Sequence, residues 1–128
     1  MKLTLTHFKI AKGFILTKGK WRDCNDQVTI VNTYTPCVYN EKFVVSGELI
    51  NRKRAYENKV CCIISDFNAI TKHQERNRIG QMARGDREIE RFNSFIERME
   101  LSDIPMIGRQ ITWYSASGNG MSRLERVL

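Results

Sequence analysis

Apolar residues are grouped along the chain in short runs that predict strands and helices. Five successive apolar residues at 60–64 predict the strongest strand, and an unbroken run of this kind indicates a central strand covered on both faces. Residues 27–34 are rich in β-branched side chains and stop before Thr35-Pro36, where proline cannot donate a ladder hydrogen bond, so they predict a second strand. A shorter strand is predicted at 13–17, followed by a polar turn at 18–20.

Helical spacing of apolar residues predicts two helices. The first is predicted at 41–59, although Gly47 and the Val44-Val45 pair lower its helix propensity. Its inward-facing residues are predicted to be Phe43, Val44, Leu49, Ile50 and Tyr56. The second helix is predicted to begin at Asp86, which can cap it, and its apolar stripe consists of Ile89, Phe92, Phe95, Ile96 and Met99. Core packing explains this stripe better than a cofactor site.

The last third of the chain predicts a β-hairpin. Residues 110–114 form its first strand, residues 115–120 its turn and residues 123–128 its second strand. Strands and helices that alternate before such a hairpin indicate an α/β or α+β layered fold. The sequence contains no repeat and no Pro/Ser-rich linker, so residues 1–128 are predicted to form one domain.

Composition and charge narrow the classes of partner. Lys and Arg number 21 and Asp and Glu 14, which leaves a net charge of +7 and favours polyanions such as nucleic acids or anionic membranes. A solvated surface remains the alternative, because the arginines between residues 76 and 91 are interspersed with acidic residues. No apolar stretch is long enough to cross a bilayer and residues 1–7 lack the centre of a secretory signal, so we expect an intracellular protein with no membrane partner.

The four cysteines predict reduced thiols rather than a zinc site or a disulfide framework. Their spacing is irregular, and Cys61 and Cys62 would point to opposite faces of the predicted strand, so they could not bind one ion together. We therefore expect no disulfide-linked partner, in keeping with a reducing compartment.

A polar tetrapeptide, Ser65-Asp66-Phe67-Asn68, ends the strongest predicted strand. Strand ends are common positions for ligand chemistry in layered α/β proteins. A carboxylate at Asp66 could bind a hard cation or accept a proton from water, and the amide of Asn68 could donate to a phosphate oxygen. Asp and Asn are also favoured turn residues, so the tetrapeptide taken alone favours a turn without chemistry.

Four short motifs occur in a characteristic order along the chain. They are VNTYTP at 31–36, ISDFN at 64–68, ITW at 111–113 and SRLERVL at 122–128. This order resembles the endonuclease/exonuclease/phosphatase family, and more narrowly the endonuclease domain of plant-type non-LTR (LINE) retrotransposons, whose patterns include GDFN, FTW and SRLDRVL. Residues 99–113 are similar to the segment of that domain that precedes and includes FTW. The resemblance extends from about residue 13 to residue 128.

The resemblance implies a fold and an activity. The fold would be part of a four-layer α/β sandwich, with two packed β-sheets flanked by helices. The activity would be hydrolysis of phosphodiester or phosphomonoester bonds with Mg²⁺ or Mn²⁺, with nucleic acid, most simply DNA, as the partner and the nucleus as the site of action. Asp66 matches the residue that positions or activates water, Asn68 and Tyr34 match residues that contact the phosphate, and Trp113 matches a tryptophan near the cleft. Asp66 and Asn68 would be the metal-side residues present.

Departures from the family pattern limit this expectation. Ser65 replaces the glycine of GDFN, which could crowd a tight turn, and Glu125 replaces an aspartate that orients a catalytic histidine. Neither His7 nor His73 matches that histidine, and no motif before residue 13 resembles the family's metal-binding glutamate. We therefore expect N- and C-terminal strands of the sandwich to be missing, an apolar sheet face to be uncovered, and the chain alone to be a poor catalyst. The alternative is a catalytically incomplete retrotransposon remnant that acts at most as a basic nucleic-acid-binding module. Tyr34 also fits an ordinary strand-end aromatic, and Trp113 a core residue.

Overall fold

Two β-sheets and two helices make up the fold in a computed structural model, which describes residues 2–55, 60–78 and 85–128. The strands are β1 (Leu3–Ala11), β2 (Phe14–Trp21), β3 (Gln27–Tyr34), β4 (Val60–Asp66), β5 (Arg76–Arg78), β6 (Trp113–Tyr114), β7 (Gly120–Ser122) and β8 (Glu125–Val127). The helices are α1 (Tyr39–Asn51) and α2 (Asp86–Arg98), and short 3₁₀ turns lie at Lys53–Ala55 and His73–Glu75. The mixed α/β fold class predicted from the sequence is confirmed.

The larger sheet has the strand order β1-β2-β3-β4-β8. Strands β1, β2 and β3 are antiparallel neighbours, whereas β4 is parallel to β3 and α1 lies in the connection between them. Parallel neighbours require such a crossover, because the chain must return from the C-terminal end of one strand to the end of the sheet where the next strand begins. Strand β8 pairs antiparallel with β4, so β4 is an interior strand as predicted. The smaller sheet has the order β5-β7-β6.

The hydrophobic core lies between one face of the larger sheet and the two helices. Val31 and Ile63, at the centre of β3 and β4, are completely buried. Val45 and Leu49 of α1, Phe92 and Phe95 of α2 and Met99 directly after α2 belong to the same cluster, and Ile96 packs against it. Its buried members are Phe14, Leu16, Val31, Val45, Leu49, Ile63, Phe67, Ala69, Phe92, Phe95, Met99 and Leu128. Four of the five residues of the predicted stripe are therefore confirmed as core-packing, whereas Ile89 is not a member of the cluster. The predicted cap at Asp86 is wrong, because Gly85 is the N-cap and the Asp86 carboxylate pairs with His73 instead.

The other face of the larger sheet is apolar and exposed. Cross-strand register places on it the exposed side chains of Leu5, Phe8, Ile10, Ile15, Val60 and Ile64. The prediction that the 60–64 strand is covered on both faces is therefore wrong, since Val60 is 57% exposed and Ile64 41% exposed. The uninterrupted apolar run is instead explained by one face that enters the core and one that belongs to this exposed surface.

Several predicted element boundaries differ from the structure. Strand β2 continues through the predicted turn at 18–20, and β1, which was not predicted, pairs with it along its length. The turn lies instead at Lys12-Gly13, where Gly13 has a φ of 90° that favours glycine. Helix α1 ends at Asn51, and Val44, predicted to face inward, is exposed while Val45 is buried. Tyr56 lies outside the described residues.

The predicted C-terminal hairpin is divided between the two sheets. Strands β6 and β7 pair with each other around the predicted turn, but the predicted 123–128 strand is shorter, and β8 crosses to the larger sheet. Arg123 and Leu124 make this crossing. The crossing has a functional consequence, because it brings Glu125 beside Asp66.

Candidate active site

Three of the predicted site residues lie in one row across the larger sheet. Tyr34 on β3 is the register partner of Asp66 on β4, and Asp66 is the register partner of Glu125 on β8. Paired residues on neighbouring strands project to the same face, which here is the exposed face of the sheet. The three side chains line one cavity of about 450 Å³, together with residues that include Asn32, Ile64 and Met106. Residues as far apart in the sequence as Tyr34 and Glu125 therefore converge on one surface.

The backbone pairing sets the two carboxylates close together. Ile63 and Leu128 exchange two backbone hydrogen bonds of 2.8 and 2.9 Å, and the N–H of Phe67 donates to the carbonyl of Leu124 at 2.9 Å. Because bonded and non-bonded pairs alternate along an antiparallel ladder, Asp66 and Glu125 form a non-bonded pair, with Cα atoms about 4.5 Å apart. Like charges directly opposite each other repel across strands, so this pair is a natural position for a cation.

A tight turn after β4 places Asn68. The N–H of Asn68 donates to Oδ1 of Asp66 at 3.0 Å, and Nδ2 of Asn68 donates to the carbonyl of Thr35 at 2.5 Å. Asn68 has a φ of 49°, a conformation that asparagine tolerates better than most residues. The tetrapeptide is therefore a turn and also part of the candidate site. The hydrogen bonds of the turn hold Asn68 next to Asp66 and next to Thr35, which directly follows β3.

Lys42 fixes this turn from beneath, and the sequence analysis missed it. Its Nζ donates to the carbonyl of Asn68 at 2.6 Å and forms an ion pair with Glu88 of α2, and the residue is only 5% exposed. A buried lysine is tolerated when its charge is paired and hydrogen-bonded. Its position three residues before Val45 and seven before Leu49 is the signal that could have found it, because this spacing places a cation on the buried stripe of α1.

Ser65 does not strain the backbone, contrary to expectation. It lies inside β4, opposite Arg126, and is not among the described residues with positive φ. The glycine of the family motif is therefore not required by this backbone. The cost lies elsewhere, because the Ser65 hydroxyl is buried without a hydrogen-bond partner among the described residues.

Trp113 lies beside Asn68 and not in the core. It is 37% exposed and lines a second cavity of about 260 Å³ together with Asn68, Lys42, Arg76 and Ser122. The neighbouring Thr112 fixes Glu125, because its Oγ1 accepts hydrogen bonds from the N–H groups of Leu124 and Glu125 at 2.9 and 3.1 Å. The ITW motif thus contributes to the site both through an aromatic ring and through the positioning of β8.

A buried ionic cluster holds β8 in place. Arg126 is completely buried in its side chain and forms ion pairs with Glu75 and with Asp103, the latter at 2.5 Å. Arg123 pairs with the same two acids, at 3.3 Å to Glu75 and 2.9 Å to Asp103. The guanidinium of Arg126 also lies 5.6 Å from the ring centroid of Phe92. These contacts fix the residues on both sides of Glu125, and the sequence analysis did not predict them.

We expect the cluster to make the stability of the protein sensitive to acid. Burial raises the pKa of Glu75, but hydrogen bonds from Arg126 and Thr71, with the charge of Arg126, outweigh burial and hold the pKa below its usual value of 4.5. A lowered folded-state pKa contributes stability that is present above 4.5 and is lost as the pH falls through the folded-state pKa. We expect the free energy of unfolding of the wild type to exceed that of Glu75→Gln by an amount that shrinks as the pH falls below 4.5.

Urea unfolding at a series of pH values above and below 4.5 measures this difference. Glu97→Gln, at an exposed position of α2, is the matched control and should show no such trend. A difference between the wild type and Glu75→Gln that stays constant over this range would contradict the prediction.

The oxygen ligands at the site fit a hard divalent cation. Mg²⁺ is commonly bound by one or two carboxylates together with substrate phosphates and water, and the opposed carboxylates of Asp66 and Glu125 supply that minimum. Asn68 could bind a cation only through its amide oxygen, because its nitrogen donates to the carbonyl of Thr35. No group of three or more His, Cys, Asp or Glu that could hold a metal ion occurs in residues 2–55, 60–78 and 85–128.

The cysteines lie apart from this site. All four are free thiols, Cys24 and Cys37 exposed and Cys61 and Cys62 partly buried in β4. Burial, and then the neighbouring Cys62, raise the pKa of the Cys61 thiol to about 11, which keeps it protonated and unreactive near neutral pH. Within the described part of the chain, no helix is long and apolar enough to cross a membrane.

Comparisons with known proteins show which fold this is. No protein-family model and no curated protein matches the sequence. Among solved structures, the endonuclease domain of TRAS1, a telomere-specific non-LTR retrotransposon, matches with a TM-score of 0.67 and 14% identity over 98% of this chain and 54% of that one. Truncated TDP2 of Caenorhabditis elegans matches with a TM-score of 0.52 and 14% identity over 99% of this chain and 50% of that one.

These identities are low, so the matches establish the fold and leave the activity to be proposed. The chain spans about half the length of each of the two structures. Its five-stranded and three-stranded sheets, with two helices, correspond to part of a DNase I-like fold. This chain therefore has a fold that corresponds to about half of a DNase I-like domain.

Proposed function

We propose that the row of Tyr34, Asp66 and Glu125 forms part of a site that hydrolyses phosphodiester bonds of nucleic acid with a divalent metal ion. The observation that carries this proposal is the convergence of the three residues, with Asn68 next to them, on one cavity at the end of β3 and β4. The retrotransposon endonuclease that shares the fold supports the choice of nucleic acid as the substrate class. DNA is the proposed substrate, and the nucleus the proposed site of action.

We assign a role to each residue of the proposed site. Asp66 accepts a proton from the attacking water, whose oxygen forms a bond to phosphorus while the bond to the leaving ribose oxygen breaks, and that oxygen takes up a proton. The Tyr34 hydroxyl and the Asn68 amide orient the phosphate by hydrogen bonds, which act mainly through positioning. A cation held by Asp66 and Glu125 would neutralise charge that develops on the phosphate. Residues that match the family's histidine and principal glutamate are not present in the sequence, so we expect slow turnover by this chain alone.

Nicking of supercoiled plasmid with Mg²⁺ or Mn²⁺ tests the proposal. We expect Asp66→Asn to lower the nicking rate by about 100-fold or more, because it removes the proton acceptor and one cation ligand. Asp23→Asn, at an exposed position between β2 and β3, removes the same charge away from the site and should leave the rate unchanged. Equal rates for the wild type and Asp66→Asn would overturn the assignment. Absence of nicking by the wild type with either metal would refute hydrolysis by this chain.

Nucleic-acid binding without hydrolysis is the second candidate function. It is favoured by the net charge of +7 and by basic side chains of β1 and β2 that have no carboxylate partner in the described ranges. Binding that weakens with salt and persists in Asp66→Asn, with no nicking by the wild type, would select this candidate.

A further inference from the structure

We propose that the β1–β2 hairpin carries a binding surface for the phosphate backbone of nucleic acid, separate from the cavity of Asp66. This surface, the basic face, consists of Lys9 on β1, Lys18 and Lys20 on β2, and Arg22 directly after β2. It rests on the proposed function only for the choice of nucleic acid as partner, because binding at this surface requires no hydrolysis.

Strand register builds the basic face. Lys9 is the partner of the buried Leu16, and Lys18 and Lys20 follow Leu16 at intervals of two residues, so all three project to the helix side of the sheet. Residues at this interval are spaced about 7 Å apart along a strand. Arg22 joins them because its Nε donates to Oγ1 of Thr4, and Thr4 is the register partner of Lys20. Lys9, Lys20 and Arg22 are exposed, although they project to the helix side of the sheet.

Several basic residues elsewhere in the fold are engaged by other side chains. Lys42, Arg123 and Arg126 are engaged in buried ion pairs, and Arg91 lies against the rings of Tyr39 and Phe43. By contrast, no ion pair between described residues includes any member of the basic face. Its charge is therefore available to neutralise phosphates and release their counterions.

The two faces of the hairpin favour nucleic acid over a membrane. Leu5, Phe8 and Ile10 project from the opposite side of the sheet from the basic face. A membrane-surface element inserts its apolar residues while its cations contact the lipid headgroups from the same side. A nucleic-acid backbone needs only spaced cations without apolar neighbours, which is what the basic face offers.

The basic face and the candidate active site are far apart. Tyr34, Asp66 and Glu125 lie on the exposed apolar side of the sheet, whereas the basic face lies on the helix side. Lys20 is the register partner of Gln27, seven residues before Tyr34 on β3, which corresponds to about 23 Å along the strand. Lys9, the nearest member, lies two strands away in line with Val31, about 10 Å along β3 from Tyr34 and on the opposite face. A variant at one surface should therefore leave the other intact.

Salt-dependent binding of fluorescent duplex DNA and duplex RNA tests the inference. The triple variant Lys9→Gln, Lys18→Gln, Lys20→Gln is compared with a control triple variant, Lys72→Gln, Arg87→Gln, Arg98→Gln, at exposed positions elsewhere. Each variant lowers the net charge by three, from +7 to +4. If each lysine contacts one phosphate, the slope of log affinity against log salt should become shallower by about 2.7 for duplex DNA in the first variant, and should be unchanged in the control.

Equal weakening in both triple variants would overturn the inference, because it would assign binding to net charge alone. Loss of binding to phosphatidylserine vesicles with retained binding to both duplexes would also overturn it, in favour of a membrane. If the first triple variant loses more affinity for one duplex than for the other, that difference shows whether the basic face binds the backbone of DNA or of RNA. If the wild type does not nick plasmid but binds the duplexes and the first triple variant weakens that binding, hydrolysis is refuted and this inference stands, so the two failures give different results. Thermal unfolding confirms that both triple variants are folded.

Discussion

Replacing Arg126 with Met is expected to lower the free energy of unfolding by about 3–5 kcal/mol, a large part of the stability of a domain of this size. The side chain of Arg126 is completely buried and forms ion pairs with Glu75 and Asp103, which Arg123 also contacts from a less buried position. Without it, a buried carboxylate loses an ion pair and retains the cost of its own desolvation. Met fills much of the space of the arginine stem, so the loss reports on the charge rather than on a cavity.

Urea unfolding measures this loss as a shift of the midpoint at constant slope. Arg98→Met, at an exposed position of α2, is the matched control and should change the stability by less than about 0.5 kcal/mol. The double variant Glu75→Gln, Arg126→Met should lose less than the sum of the two single variants, since the neutral partner no longer needs the cation. Strictly additive losses would show that the two side chains do not interact.

The same substitution links stability to the candidate site. Strand β8 has only three residues and is held to β4 by few hydrogen bonds, so the side chains next to Glu125 contribute much of its anchoring. Loss of Arg126 should therefore loosen the opposition of Glu125 and Asp66 before the whole domain unfolds. Faster amide hydrogen exchange at β8 than at β3 in the folded Arg126→Met variant would show this loosening.

Local patterns predicted the elements whose signals do not depend on distant residues. Strand β3 has the predicted boundaries, because its β-branched residues and the following proline define it within a few positions. The stripe of α2 is likewise encoded within one helix, and its members Phe92, Phe95 and Met99 are buried. The approximate position of Asp66, at the end of an interior strand, also followed from the apolar run before it.

Other features were not predictable because tertiary contacts decide them. Strand β1 has exposed apolar and polar residues mixed together, and it is a strand because β2 supplies its hydrogen bonds. The pairing of Arg126 with Glu75 joins residues 51 positions apart, so no local pattern contains it. The division of the C-terminal hairpin was not predictable for the same reason. The turn at residues 115–120 forms between β6 and β7 of the smaller sheet, and its sequence does not indicate whether the next strand stays in that sheet.

The candidate site combines both kinds of information. The order of motifs indicated that Tyr34, Asp66 and Glu125 belong together, but their alignment in one row depends on the parallel pairing of β3 with β4 and the crossing of β8. The structure also bears on the two aromatic residues for which the sequence left alternatives open. Trp113 is partly exposed beside Asn68 and not a core residue, and Tyr34 is 63% exposed in the cavity of Asp66.

Replacing Phe67 with Ala is expected to cost about 3–5 kcal/mol and to disorder the turn that carries Asn68. Phe67 is the buried residue of the Ser65-Asp66-Phe67-Asn68 tetrapeptide, and its ring centroid lies 5.1 Å from that of Phe92 and 6.3 Å from that of Phe95. Its removal leaves a cavity between β4 and α2 that the rigid strand cannot fill. The residues on either side of it, Asp66 and Asn68, then lose the anchor that fixes their backbone.

The matched control is Phe8→Ala, which makes the same change at a residue that is 69% exposed on β1. Its effect on the free energy of unfolding should stay within about 0.5 kcal/mol, because little burial is lost. Phe67→Leu should fall between the two, since it keeps part of the buried volume. If Phe67→Ala unfolds at the same urea concentration as Phe8→Ala, the ring does not anchor the turn. A loss restricted to Phe67→Ala would instead show that the core itself fixes Asp66 and Asn68, so that the geometry of the candidate site depends on an aromatic contact as well as on its polar residues.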